Sequence, residues 1–517
     1  MMQVGFDNPP KNNEKNENEQ PKEIKVLMGV FFDGTGNNKY NIDYFKKRDG
    51  KKPWWKRTGW ADSYKSDYSN VAYEYSAYKH TIDGNPVAGF DYVRRVYVTG
   101  IGTANRNMYL ETDNLSDDMK NKVDSKKEYK KNDSKRNDAE KISYKTDVAR
   151  TGGSAFGVGF TGVIAKIERG CENIYKDLGL VLDVASEKNK INKVELSLDV
   201  YGFSRGAAAA RCFVNCINKK HGKKSKDKES LISYWLDKKG YGYSEKDKVK
   251  VTVKVRFVGL YDTVSSYGWD FNDVKELGLD CPNDIVEIGA GVQFCAADEY
   301  RKNFSLTTVD SYGDKIKQYI FPGAHSDVGG GYERTKNEPL KVSTNYFERM
   351  MRHGQEIWAG FKNNVDDLVN EGWFVSQLNE RTGNMEIEKN REVINTYSLI
   401  PLFIMIKKTR EKGCDDIIED DALSEPTDRL NKANKDLGKI RQRLENIVFN
   451  GGNALYKLTG GDDTVGNVGK RIEPCFSRGD DDYSLVRSIR HRYIHLSSHT
   501  TMVHKPQKGN IREVING

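Results

Sequence analysis

A serine held between two glycines is the residue best placed, by type and spacing, to do chemistry: Gly202-Phe203-Ser204-Arg205-Gly206 fits G-x-S-x-G. A serine hydroxyl becomes a nucleophile when a base takes its proton and an acid orients that base. Asp262 follows Ser204 by about sixty residues and His325 follows by about sixty more, giving the order nucleophile, acid, base. Both partners have rivals. Asp327 stands close to His325 and could be the acid, while Tyr493-Ile494-His495-Leu496-Ser497-Ser498-His499 brings His495 and His499 as a competing base cluster. Gly323 and Gly329-Gly330-Gly331 permit close backbone approach around His325, which favours it. Asp33 could join Asp327 and a histidine on a metal, but no H-E-x-x-H or comparable ligand spacing exists, so no metal is assigned.

These groups can act together only if the elements beneath them end at one edge. Val194, Leu196, Leu198 and Val200 alternate with more polar neighbours, the period of a strand. Ala207 to Ala210 follow, and alanine has the highest helix propensity available. A strand that turns at once into a helix holds its central serine in a strained conformation, with N–H groups and the helix dipole beside any oxyanion formed there. So short a pattern also arises in ordinary turns; strand before and helix after are the context that favours a nucleophile.

Ile24 to Phe32 reads as the first buried strand, running into the turn-forming loop Asp33-Gly34-Thr35-Gly36-Asn37-Asn38. Val93 to Thr99, Val251 to Tyr261 and Gln318 to Pro322 read as further strands, the last two ending at Asp262 and just before His325. Strands alternating with helical stretches, each ending in a polar loop, predict an α/β fold: a mainly parallel sheet with helices on both faces. Ligands of such sheets bind beyond the strand C-termini, which makes the Asp33 loop a site candidate too.

The remainder divides by composition. Residues 1–23 read as a disordered polar tail, and 24–339 as the catalytic domain. Within it, 105–146 is so rich in Lys, Asp, Asn, Glu and Ser that it reads as a mobile charged insertion, with a lid as the functional alternative. Gly152 to Phe160 leads into an amphipathic helix through Ile174; no hydrophobic strand precedes those glycines, so a dinucleotide fingerprint is rejected. Lys219 to Lys248 is a lysine-rich surface stretch. Residues 340–470 are largely helical in pattern, above all Tyr346 to Phe361 and Asp428 to Phe449, and read as a helical subdomain. Its most apolar run, Ser398 to Met405, is too short to span a bilayer and suits core packing. Residues 471–517 are expected to pack back on the catalytic domain.

An apolar content of 37%, with 11% aromatic residues, sustains a packed core, while 31% charged residues keep the rest wet. The net charge of +8 is a mild bias without a concentrated basic stripe. That argues against nucleic acid as a partner and is compatible with attraction to anionic lipid headgroups. The seven cysteines (Cys171, Cys212, Cys216, Cys281, Cys295, Cys414, Cys475) are odd in number, scattered and without a C-x-x-C pair, as expected of a chain made in a reducing compartment. No apolar h-region follows the N-terminal Met-Met-Gln-Val, and no segment reaches the ~18 apolar residues of a membrane span. Export, if it occurs, is therefore expected to use a route without a cleavable Sec signal.

Four ordered blocks carry a resemblance to a known family. They are Phe31 to Asn38, Gly202 to Ala207, Gly259-Leu260-Tyr261-Asp262-Thr263-Val264, and Phe321-Pro322-Gly323-Ala324-His325-Ser326-Asp327-Val328-Gly329-Gly330. Lesser blocks are Ser69-Asn70-Val71, Tyr97 to Thr103 and Ala296 to Arg301. Together, over roughly residues 24 to 335, the chain resembles the α/β-hydrolase family that contains the type VI secretion lipase effectors of the first class. One departure is Gln293, where members often carry a histidine.

The resemblance implies an α/β-hydrolase fold and a Ser204, Asp262, His325 triad, raising His325 over His495. It implies a serine esterase that acts on membrane phospholipids, needs no cofactor, and is carried by a secretion spike from the cytoplasm into a rival's periplasm. An immunity protein is the partner expected to restrain it. By position at the end of the first strand, the oxyanion is expected on N–H groups of Arg205 and of the Gly34-Thr35 loop, with Asp33 and Asp327 lining the site. Two other readings stand beside this one: a hydrolase of small or peptidoglycan-derived esters or amides, and a non-catalytic hydrolase-fold binding protein.

Overall fold

The computed structural model describes residues 22–46, 65–103, 163–186, 190–217, 249–265, 279, 288–339, 365–378, 383, 385–388, 390–413, 415–460, 468–497 and 512–517. The expected tail (except its last two residues), the 105–146 insertion, the Gly152–Phe160 run, the lysine-rich stretch, the Tyr346–Phe361 helix and His499 lie outside the described residues.

Among the described residues, seven strands precede the His325 loop: β1 (Lys22–Phe32), β2 (Tyr92–Val98), β3 (Ile191–Phe203), β4 (Lys250–Tyr261), β5 (Ile288–Ala296), β6 (Leu306–Thr307) and β7 (Ile316–Phe321). All but β6 form one six-stranded sheet in the order β2-β1-β3-β4-β5-β7. Every pairing in it is parallel. This is the α/β-hydrolase-like architecture expected from the alternation of strands and helices. The order reverses at β1, whose neighbours are β2 on one side and β3 on the other. A parallel sheet opens a crevice where its winding changes direction, so the loops after β1 and β3 flank the place where a ligand enters.

Successive strand residues face opposite sides, and the sequence fills both sides with apolar atoms. From β1, Leu27 and Phe31 enter one buried cluster, while Val26, Met28, Val30 and Phe32 enter the other. The second layer is covered by α3 (Val163–Ser186) and α4 (Arg205–Ile217), the helices following α1 (Lys39–Lys46) and α2 (Asn70–Ala77). Val163, Ile167, Cys171, Ile174, Leu178 and Val181 of α3 recur every three or four positions and form one buried stripe. Ala207 to Ala210 are wholly buried; their small side chains let α4 approach the sheet closely.

The first layer is covered by α2, by the short α5 (His325–Gly329), and by helices drawn from the later part of the chain. After α6 (Val365–Asn370) these are α7 (Leu399–Arg410), α8 (Ser424–Asn431), α9 (Lys435–Asn450) and α10 (Asp481–Tyr493). The apolar run at Ser398–Met405 is the buried heart of α7, and its Leu399, Leu402 and Met405 share a cluster with Phe31, Tyr201 and Phe294 of the sheet. The predicted Asp428–Phe449 helix is divided between α8 and α9, because Asn434 caps a new helix by accepting from the Leu437 N–H at 3.0 Å. No helix among the described residues is long and apolar enough to cross a membrane.

Short strands stitch the later chain to the earlier. β8 (Thr335–Pro339) pairs antiparallel with β11 (Asn390–Ile394), past a β9–β10 hairpin (Ser376–Leu378, Met385–Ile387). β12 (Tyr456–Thr459), β13 (Val468–Pro474), β14 (Val514–Ile515) and β6 form a four-stranded sheet in which Val514 stands opposite Leu306.

Buried and half-buried ion pairs fix the joints. Arg94 of β2 grips Asp177 of α3 through two bonds of 2.7 and 2.6 Å. Arg391 of β11 meets Glu338 of β8 at 2.5 Å and donates to the carbonyls of Arg490 and Ile494 at 2.7 and 2.8 Å. Removing one member of such a pair strands the other charge without solvent. Arg391→Ala should therefore cost about 3–5 kcal/mol, read as a lowered urea midpoint, and the isosteric double change Glu338→Gln with Arg391→Met should recover most of it.

Candidate active site

The glycines of the elbow are required by contact. A Cβ on Gly202 would lie 2.6 Å from the Ala207 Cα, and one on Gly206 would lie 2.3 Å from the Asp33 carbonyl oxygen. Strand β3, helix α4 and the end of β1 therefore meet closer than any side chain allows. Ser204, between β3 and α4, has φ 61°, a left-handed backbone that a non-glycine residue adopts at a cost of about 1–3 kcal/mol. The surroundings hold it there. Its N–H donates to the Tyr261 carbonyl at 2.9 Å, and its carbonyl accepts from Ala207 at 3.0 Å.

Asp262 follows β4 directly and also has a left-handed backbone, φ 47°. Its carboxylate has no exposure to solvent and collects donors from three elements. Oδ1 accepts from the Ala296 N–H at 2.8 Å, Oδ2 lies 2.5 Å from His325 Nδ1, and Arg512 spans both oxygens at 2.6 and 2.8 Å. Burial pushes this carboxyl up, but the Arg512 charge and the bonds from His325 outweigh it and hold it below the usual range.

His325 opens α5, its ring 4.6 Å from the Phe203 ring on one side and 5.0 Å from the Phe304 ring on the other. Phe203 precedes Ser204, so the elbow and the histidine loop are packed together. Burial lowers the imidazole pKa against the opposing pull of Asp262, which favours the neutral form that a general base needs. Under its backbone lies Glu299, which accepts from the His325 N–H at 3.3 Å and is held ionised by Arg301 at 2.7 Å.

The structure thus pairs each histidine named in the sequence, where described, with a different aspartate. His495 Nδ1 lies 2.7 Å from Asp327 Oδ1, and Asp327 Oδ2 accepts from the N–H groups of Ala324 and His495, each at 2.9 Å. Both residues are buried, and the His495 ring stacks on Tyr332 at 3.9 Å. Asp327 caps the short helix that begins with His325, and His495 secures that cap.

Asp33 is equally committed. Its Oδ1 accepts from Ser69 Oγ at 2.6 Å and from the Gly34 N–H at 2.7 Å, and its Oδ2 accepts from the Tyr97 hydroxyl. Ser69 in turn caps α2 by accepting from the Ala72 N–H at 3.1 Å. The expectation that the Gly34 N–H faces an oxyanion is therefore corrected: that donor is turned back into the carboxylate beside it. Thr35 remains at the elbow, its Oγ1 accepting from Arg205 Nε at 2.8 Å. Gln293, the departure from the resembled family, is a buried cross-link donating to the Thr307 carbonyl at 3.0 Å and to Gln318 at 2.9 Å.

Arg512 is the group that sequence reasoning missed. It is one of 83 Lys and Arg residues, in a polar stretch with no motif around it. Among the described residues, no three His, Cys, Asp or Glu side chains converge to hold a metal ion.

Residues 28–353, more than half of the chain, match the family model described as the type VI secretion system phospholipase effector Tle1-like catalytic domain. In fold the chain is similar to the Tle1 effector solved bound to the VgrG spike of the type 6 secretion system, with a TM-score of 0.53 and 19% identity, covering 100% of this chain and 99% of that one. A second solved structure, an uncharacterised protein from Pseudomonas aeruginosa, aligns at a TM-score of 0.30 and 21% identity over 60% of this chain and 42% of that one. No curated protein sequence matches the chain.

Burial pushes the Asp33 carboxyl up to about 6 from 3.8, against the bonds from Ser69, Tyr97 and Gly34. The unfolded chain releases this proton near the lower value, so the folded state retains it across that window and loses stability as pH rises through it. The loss is roughly 3 kcal/mol by linkage. Urea unfolding at about pH 4 and about pH 6.5 should show wild type losing about 2 kcal/mol, most of that amount, relative to Asp33→Asn, which cannot titrate.

Proposed function

Because the chain belongs to the Tle1-like phospholipase effectors of the type VI secretion system, we propose that it cleaves acyl esters of phospholipids, as a phospholipase A, with Ser204 as nucleophile, His325 as base and Asp262 as acid. The observation that carries this reading is the 2.5 Å bond from His325 Nδ1 to Asp262, at the sheet edge where a left-handed Ser204 opens α4. Ser204 Oγ attacks the ester carbonyl while His325 Nε2 takes its proton, and the imidazolium returns that proton to the leaving alcohol. Water then hydrolyses the acyl-enzyme by the same route. Asp262 fixes the tautomer that leaves Nε2 free to accept. The tetrahedral oxyanion lies by the N–H groups of Arg205 and Thr35, at the positive end of α4.

Residues 24–339 supply all of these groups, with the later chain as their support. The likeness to an effector solved on its VgrG spike supports a spike as the carrier of this chain too. The destination we assign is the periplasm of a target cell, with an immunity protein guarding the producer.

Digestion of phospholipid vesicles, with products identified by mass spectrometry, should release fatty acid and lysophospholipid. Ser204→Ala should remove that activity, by about 10⁶ in kcat, and leave thermal unfolding nearly unchanged. Directed to the periplasm of a laboratory bacterium, wild type should be toxic and Ser204→Ala harmless; equal tolerance in periplasm and cytoplasm, with active enzyme in both, would sink the effector reading. The two Asp–His pairs are separated by a second comparison. Asp262→Asn should cost on the order of 10⁴ in rate. Asp327→Asn should lower the melting temperature, and a rate loss from Asp327→Asn alone would reverse the assignment.

A further inference from the structure

The triad uses Asp262, yet its firmest partner lies outside the triad. Arg512 makes two parallel N–H···O bonds to the carboxylate, Nη1 to Oδ1 at 2.6 Å and Nη2 to Oδ2 at 2.8 Å. Its other N–H groups reach the Ala296 carbonyl at 2.7 Å and the Phe304 carbonyl at 3.1 and 2.9 Å. A guanidinium has five N–H donors in a rigid plane, and here all five have acceptors. We propose that Arg512 is a positioning residue of the hydrolase: it locks the Asp262 carboxylate toward His325 and sets the acid limit of activity. This rests on the assignment of Ser204, Asp262 and His325 given above.

The geometry leaves Asp262 one orientation. Oδ2 is shared between His325 Nδ1 and Arg512 Nη2, and Oδ1 between the Ala296 N–H and Arg512 Nη1. Rotation about the last side-chain bond would break all four contacts. Arg512 also holds the backbone of Phe304, whose ring packs T-shaped against the His325 imidazole, so one cation fixes both the partner and one wall of the base.

The charge has a separate effect. A lone buried carboxylate at hydrogen-bond distance stabilises imidazolium and raises the pH at which the base becomes neutral. Two carboxylates face His325 from the packed elements, Asp262 after β4 and Glu299 after β5, and each is matched by a guanidinium, Arg512 and Arg301. Asp327, on the histidine's own helix, is turned to His495. With these charges offset, burial is free to keep His325 neutral, in keeping with its lowered pKa.

The test is the pH dependence of kcat/KM on phospholipid vesicles and on a soluble nitrophenyl ester. Wild type should keep its activity below about pH 6.5, the ordinary imidazole value. Arg512→Gln leaves the Asp262 charge uncompensated, and its acid limb should move up by about one pH unit or more. Arg512→Lys keeps the charge without the fork, so its acid limb should stay near wild type while kcat falls. An acid limb in Arg512→Gln that coincides with wild type, whatever the loss of stability, overturns the proposal. If that variant does not fold, titration of His325 in wild type by NMR decides: a midpoint below about 6.5 supports the proposal, and one at or above about 7 overturns it. Absence of Ser204-dependent hydrolysis from wild type would overturn the hydrolase reading together with the proposal, whereas a Ser204-dependent activity indifferent to position 512 overturns the proposal alone.

Discussion

A carboxylate with no access to water must find every donor it needs within the protein, and the Asp262 carboxylate sets that condition for much of this molecule. Leaving such a charge unpaired costs several kcal/mol, a large fraction of a domain's whole stability. Its donors come from the last residue of β5, from α5 and from the segment holding β14, so those three parts are fixed relative to β4 by one group. The requirement spreads outward. Arg512, just before β14, reaches Asp262 because β14 pairs with β6, and β6 follows the loop carrying Phe304 and Arg301. The reactive edge and the later chain are therefore one electrostatic construction.

The same logic keeps the two Asp–His pairs apart. Asp262 faces a guanidinium and is held below the usual carboxylate range, whereas burial raises Asp327 with only His495 and backbone donors to oppose it. One aspartate is held ready to orient an imidazole, and the other is spent on closing a helix turn. Burial alone does not distinguish them, because both are almost wholly enclosed. The charge standing behind each carboxylate does.

How much of this was legible in the sequence depended on how local the cause was. The elbow could be read because strand, glycines, serine and alanine helix adjoin one another, and β1 to β4 and β7 could be read because apolar runs ending in turn formers are local too. β5 was hidden, since Gly289 and Gly291 interrupt the pattern of Ile288 to Ala296; a Cβ at Gly291 would meet the Val258 carbonyl at 2.8 Å. α2 was hidden as well, its eight residues being buried on nearly every side and so without an amphipathic period. The helices near Leu399 and Lys435 were legible, but their sharing one core with the sheet was not, because that depends on contacts between distant residues. The Gly34 donor went the wrong way for a local reason that only coordinates display: a carboxylate one residue earlier captures it. Arg512 lies 250 residues from the group it serves, and nothing in its own neighbourhood marks it.

That separation has a consequence for a cell that makes such an enzyme. The ribosome delivers the chain from its first residue onward, so Ser204, Asp262 and His325 all emerge well before Arg512. At about 5–20 residues per second, the stretch between Asp262 and Arg512 takes roughly ten seconds to a minute to synthesise. Throughout that interval the Asp262 carboxylate lacks the guanidinium that bonds both of its oxygens. Order of synthesis thus imposes an interval in which the Asp262 carboxylate must do without the cation that spans both of its oxygens, and the cluster is complete only once Arg512 has emerged.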